Sequence, residues 1–139
     1  MSGLAGLLAG HHQPGVYQWH AAFEPADVRH SVEHAGWRFA YVDGWTHQDK
    51  AELFAGVAEA LGFPDSFGHN FDALADCLAD VEDQTVLLWD GWGPLARTDR
   101  RAFDVAVDVF SARGDDPPAF AVLLRGEGPA GIDVRSLDG

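Results

Sequence analysis

The sequence predicts a single α/β domain with a mainly parallel sheet, and three observations carry that expectation. Short, uniformly apolar runs recur along the chain. Amphipathic stretches at helical spacing alternate with them. Glycine, proline and asparagine punctuate the junctions. The 139 residues are 47% hydrophobic, which suits one domain with a core of its own. Right-handed crossovers follow by default in such a fold.

The elements read as follows. Residues 1–15 are glycine-rich, end in His11-His12-Gln13-Pro14-Gly15, and look like a loose lead-in. Val16–Trp19 has strand composition. Pro25 to His34 suits a helix with proline at its first position and Gly36 as its stop. Trp37–Val42 is a buried strand. Thr46 to Asp49 resembles a capping box for a helix carrying Phe54, Val57, Ala58 and Leu61, with Gly62 as its cap. A loop through Gly68 leads to a second helix, Asn70 to about Asp80, with Phe71, Leu74, Leu78 and Val81 as its apolar stripe. Thr85–Trp89 is a strand, Asp99 caps a helix bearing Phe103, Val107 and Phe110, and Ala119–Leu124 is the last strand. The tetrapeptides Val42-Asp43-Gly44-Trp45 and Trp89-Asp90-Gly91-Trp92 echo one another at two strand ends, which is read as turn chemistry with an aromatic anchor.

Composition excludes several classes. The net charge is −13, unfavourable for a phosphate-binding nucleic-acid partner. Cys77 is the single cysteine, so neither an internal disulfide nor a cysteine-rich zinc site can form. No run approaches the roughly 20 apolar residues of a membrane span. The apolar start of the chain has no preceding Lys or Arg, so the expectation is a cytoplasmic protein without a secretory signal. His30 and His34 sit at i,i+4, but no carboxylate or cysteine completes a ligand pattern around the histidines, and neither metal nor cofactor is expected.

The charge is unevenly placed. Between Lys50 and Arg97 there is no Lys or Arg, while nine acids fall in the interval. Asp72, Asp76 and Asp80 are four apart and share one helix face. Like charges at this spacing destabilise a helix by a few tenths of a kcal/mol per pair. Two readings fit: a solvated face kept for solubility, or a negative field used on a partner.

The segment Phe63 to Leu78 favours the second. Pro64, Asp65, Ser66-Phe67, Gly68, Asn70, Asp72-Ala73-Leu74 and Asp76-Cys77-Leu78 resemble the central motif of the barstar family, intracellular inhibitors of a secreted microbial ribonuclease. The resemblance implies residues 37–125 as a barstar-like domain, 1–36 as an N-terminal extension and 126–139 as a tail. It implies a three-stranded parallel sheet with packed helices, with Val16–Trp19 open as a fourth strand. It also implies a stoichiometric inhibitor rather than an enzyme, bound 1:1 to a basic ribonuclease or related basic protein. By the same resemblance Ser66, Phe67, Gly68, Asn70, Phe71, Asp72, Ala75, Asp76 and Asp80 form the partner-binding surface, and Asp76 stands in for an RNA phosphate. The match has gaps. Ser66 replaces an aromatic, Ala75 replaces a tryptophan, and Ser111 and Ala112 replace a further acidic contact.

Two other readings remain. One is a barstar-like binding module whose partner is not a ribonuclease. The other is a carboxylate- or Mg²⁺-dependent hydrolase using Asp43 and Asp90 at strand ends.

Overall fold

The computed structural model describes residues 3–137. In chain order the elements are α1 (Gly3–Leu8), β1 (Gly15–Trp19), α2 (Pro25–His34), β2 (Arg38–Asp43), α3 (Lys50–Leu61), α4 (Phe71–Ala79), β3 (Thr85–Asp90), α5 (Gly93–Thr98), α6 (Arg100–Gly114), β4 (Phe120–Arg125) and β5 (Ser136–Leu137). The strands form one sheet in the order β2-β3-β4-β1-β5, and every pairing is parallel.

The strand order explains the layering. The chain runs from β1 to the far edge at β2, then returns through β3 and β4. Right-handed crossovers therefore place α2 on one face and the later helices on the other. Alternate residues of each strand feed the two faces. Ala40, Val42, Leu87, Trp89, Val122 and Leu124 meet Leu53, Phe54, Leu74, Leu78, Phe103 and Phe110. Tyr17, Trp19, Phe39, Val86, Leu88 and Leu123 meet Leu4, Leu7, Val28 and Val32. Burial on both faces is why the strands read as continuous apolar runs.

The α/β class and the parallel sheet agree with the sequence reading, but the sheet has five strands rather than three or four. Val16–Trp19 belongs to β1, an internal strand between β4 and β5. Residues 3–8 are helical rather than loose, because Leu4 and Leu7 are buried on the second face. Ser136–Leu137, within the expected tail, form β5, which pairs Gln18 with Ser136 and Trp19 with Leu137. Within the expected extension, α1 and α2 thus cover one face of the sheet and β1 pairs with β4, a role that local composition alone did not reveal.

Local signals acted largely as their chemistry dictates. Gly62 ends α3 in the left-handed conformation at φ 68°. Asp99 caps α6 by accepting from Ala102 N–H at 3.1 Å. The cap of α3 is Asp49 rather than Thr46: Asp49 Oδ1 accepts from Glu52 N–H at 2.7 Å, and Thr46 Oγ1 instead donates to Asp43 O. Helix α5, with Pro94 near its start, was not expected.

The echoed tetrapeptides pack on each other. Gly44 N–H donates to Asp90 O at 2.6 Å. A side chain on Gly44 would lie 2.1 Å from Gly91 O, so this approach requires glycine.

Candidate functional site: the acidic helix and its leading loop

Helix α4 and residues 63–70 are held from three directions. Asn70 Oδ1 accepts from Ala73 N–H at 2.7 Å and caps the helix. Asn70 Nδ2 donates back to Gly68 O at 3.2 Å, tying loop to helix. A Cβ on Gly68 would come within 3.3 Å of Asn70 Nδ2 and 3.4 Å of Ala73 Cβ, so a larger residue presses on the cap. Aromatic rings anchor the loop to α3. Phe67 lies 5.2 Å from Phe63 and 6.2 Å from Phe54, and Phe71 makes an edge contact with Phe54 at 4.9 Å.

The third support is Arg113 of α6. Its guanidinium is buried and donates from Nε to Leu78 O at 2.7 Å and from Nη2 to Val81 O at 3.2 Å. Nη1 donates to Asp116 O and Pro118 O. A cation at the last carbonyls of α4 also complements the helix dipole. Leu74 and Leu78 face the core beneath it.

The opposite face of α4 is free. Asp72, Ala75, Asp76 and Asp80 are exposed, and no ion pair within the described residues involves any of the three aspartates. Ser66, Gly68 and Asn70 are exposed beside them, while Phe71 is half-buried. The structure thus brings the expected residues onto one surface with one exception. Phe67, assigned an apolar contact, is 7% exposed and belongs to the core; its work in the free chain is to hold the loop. Burial and the charges of Asp80 and Asp76 push the Cys77 thiol up, which suppresses its thiolate.

The strand ends hold a separate cluster. Asp43 and Asp90 are register partners, yet they do not form a bare carboxylate pair. Arg125 binds Asp90 in a fork, Nε to Oδ1 and Nη2 to Oδ2, each at 3.0 Å. Tyr41 donates to Asp90 Oδ2 at 3.2 Å, and Asp43 Oδ1 accepts from Trp45 N–H. Arg125 Nη1 also donates to Ala21 O and Phe23 O, clamping the segment after β1. Sequence reasoning missed this arginine because its pairing with Asp90 spans two strands distant in sequence.

Burial, then the charge and hydrogen bond of Asp90, push the Tyr41 hydroxyl up to about 12. The phenol therefore keeps its proton longer folded than unfolded, and its contribution to stability is lost as pH rises from about 10 through 12. An absorbance titration should show one of the two tyrosines ionising late, and Tyr41→Phe should remove that late step.

Among the described residues no group of three or more His, Cys, Asp or Glu side chains is placed to hold a metal ion. His30 and His34 stack on each other with centroids 6.1 Å apart.

Comparison with known proteins fits this geometry. The family model described as Barstar (barnase inhibitor) matches residues 37–125, more than half of the chain. The chain belongs to the barstar family. The match spans β2 to β4 and includes the whole of α4 and its loop; the matched residues therefore cover the acidic surface but not α1, β1, α2 or β5. No curated protein matches the chain.

Among solved structures, the ORC2 protein of Aeropyrum pernix is similar at a TM-score of 0.63 and 13% identity, over 90% of this chain and 38% of its own. Cdc6p of Pyrobaculum aerophilum gives 0.58 and 16%, over 89% and 37%. A Walker-type ATPase of Pyrococcus abyssi gives 0.55 and 11%, over 89% and 43%. The chain spans about two fifths of the length of these structures. At such identities the likeness is one of fold.

Proposed function

We propose that the chain is a stoichiometric inhibitor of a basic ribonuclease, blocking its RNA-binding cleft with α4 and residues 64–70. The observation that carries this reading is the row Asp72, Asp76 and Asp80: exposed, unpaired within the described residues, and fixed on a helix anchored from below. A ribonuclease cleft presents cations to phosphate. Asp76 on a rigid helix offers them a carboxylate of similar charge, accepting charge-assisted hydrogen bonds. Asp72 and Asp80 extend the contact to the rim. The net charge of −13 speeds encounter with a basic partner and makes it salt-dependent.

The missing aromatics favour a second reading. With Ser66 and Ala75 in place of large side chains and Phe67 buried, the surface lacks the anchors that dominate interface energy. A basic partner with no ribonuclease activity would suit such a surface. An RNA-cleavage assay with a barnase-type ribonuclease separates the two. The expected result is loss of activity that is complete at one equivalent of the chain and weakens with added salt. Full activity in the presence of excess chain would support the second reading.

A further inference from the structure

The sheet has an open edge at β2. Arg38 N–H donates to Gln84 O at 2.8 Å and Gly44 N–H to Asp90 O at 2.6 Å, with β2 and β3 in continuous register between them. In a parallel ladder, alternate residues direct both backbone groups toward the same neighbour. Even-numbered residues of β2 therefore face β3, and Phe39, Tyr41 and Asp43 face outward. The Asp43 carbonyl is taken by His47 N–H at 3.0 Å. The N–H and C=O of Phe39 and Tyr41 have no partner among the described residues, a state that backbone groups satisfy by pairing.

Phe39, only 5% exposed, and the half-buried Tyr41 lie at the floor of a trough of about 430 Å³ between α2 and α3. Its walls differ in charge. On the α2 side Arg29 lies over the Phe39 ring, 5.0 Å from the centroid, and makes an exposed ion pair with Glu33 at 3.9 Å, which a partner carboxylate has to displace or share. On the α3 side Glu59 is exposed and pairs with no cation among the described residues. We propose that this edge accepts an extended segment of a partner protein as an added strand, with acidic side chains toward α2 and basic ones toward α3. Side chains of such a strand alternate between the two walls, so Arg29 reads one set and Glu59 the other. A second copy is disfavoured as occupant. Antiparallel self-pairing about a two-fold axis normal to the sheet keeps each layer facing its own kind, setting Arg29 against Arg29 and Glu59 against Glu59.

This surface is distinct from α4, and its test is independent of ribonuclease binding. A short peptide of alternating glutamate and lysine is titrated into the isotope-labelled chain while backbone amide resonances are followed. The proposal expects saturable shifts centred on Phe39 to Asp43 and slower hydrogen exchange at Phe39 and Tyr41. It expects loss of binding when alternate peptide nitrogens are methylated, and a dissociation constant at least about tenfold weaker for Glu59→Lys. Absence of saturable shifts at a peptide concentration of about 1 mM, or equal binding of the methylated peptide, overturns it. Equal binding by Glu59→Lys overturns the assigned charge pattern.

Discussion

Replacing Arg113 with methionine should destabilise the chain by about 3 kcal/mol or more, the largest single-residue effect expected outside the hydrophobic core. Four backbone carbonyls, of Leu78, Val81, Asp116 and Pro118, accept from this one side chain. Methionine fills similar space but donates nothing: the buried Val81 O is left without a donor at a cost of about 1–3 kcal/mol, while Leu78 O keeps the Val81 N–H at 3.1 Å and the Asp116 and Pro118 carbonyls, nearer the surface, add smaller losses. Against a typical total of about 5–15 kcal/mol, such a loss is severe. Thermal unfolding should show a midpoint lowered by roughly 10 °C, given about 3 °C per kcal/mol for a domain of this size. Arg113→Lys should recover little, because one ammonium cannot replace a planar fork. Arg101→Met, at an exposed position of the same helix, should stay within about 0.5 kcal/mol of the parent. A small effect at Arg113 would mean that α4 is held by its Asn70 cap, its aromatic anchors and its apolar face without the arginine.

Asp76→Ala should act in opposite directions on folding and on binding. In the free chain the side chain is exposed and flanked at i−4 and i+4 by Asp72 and Asp80, so its removal relieves like-charge repulsion. Stability should be unchanged or higher by a few tenths of a kcal/mol. In the complex proposed above the same carboxylate would face a cationic cleft. Its loss should weaken binding by more than about 2 kcal/mol, roughly thirtyfold or more in the dissociation constant. Chemical denaturation and calorimetric titration on the same preparation check both signs. An unchanged dissociation constant would remove Asp76 from the role of phosphate mimic.

The legible parts of the fold were those set by local chemistry. Asn70 and Asp99 cap the helices they precede, Gly62 ends α3 in a left-handed turn, and Pro25 opens α2. The apolar runs at Arg38–Asp43, Thr85–Asp90 and Phe120–Arg125 are strands buried on both faces. What escaped depends on long-range pairing. β1 adds to β4 and β5 adds to β1, each across more than a hundred residues, and α1 is six residues long, stabilised by packing Leu4 and Leu7 rather than by propensity. The same division holds at the site. Asp72, Asp76 and Asp80 were visible as one face because helical spacing is local. The burial of Phe67 was not, because it depends on Phe54 and Phe63 closing over the loop. Arg113 escaped for the same reason: its acceptors lie some thirty residues away in α4 and just beyond it.

Competition with a nucleic-acid backbone tests most directly whether these carboxylates occupy a phosphate site. A non-cleavable deoxyoligonucleotide is bound to a barnase-type ribonuclease, and the chain is titrated in while oligonucleotide release is followed by fluorescence anisotropy. Complete displacement at one equivalent of the chain, lost on Asp76→Ala, is the predicted result. A ternary complex, with oligonucleotide and chain bound to the enzyme together, would contradict it.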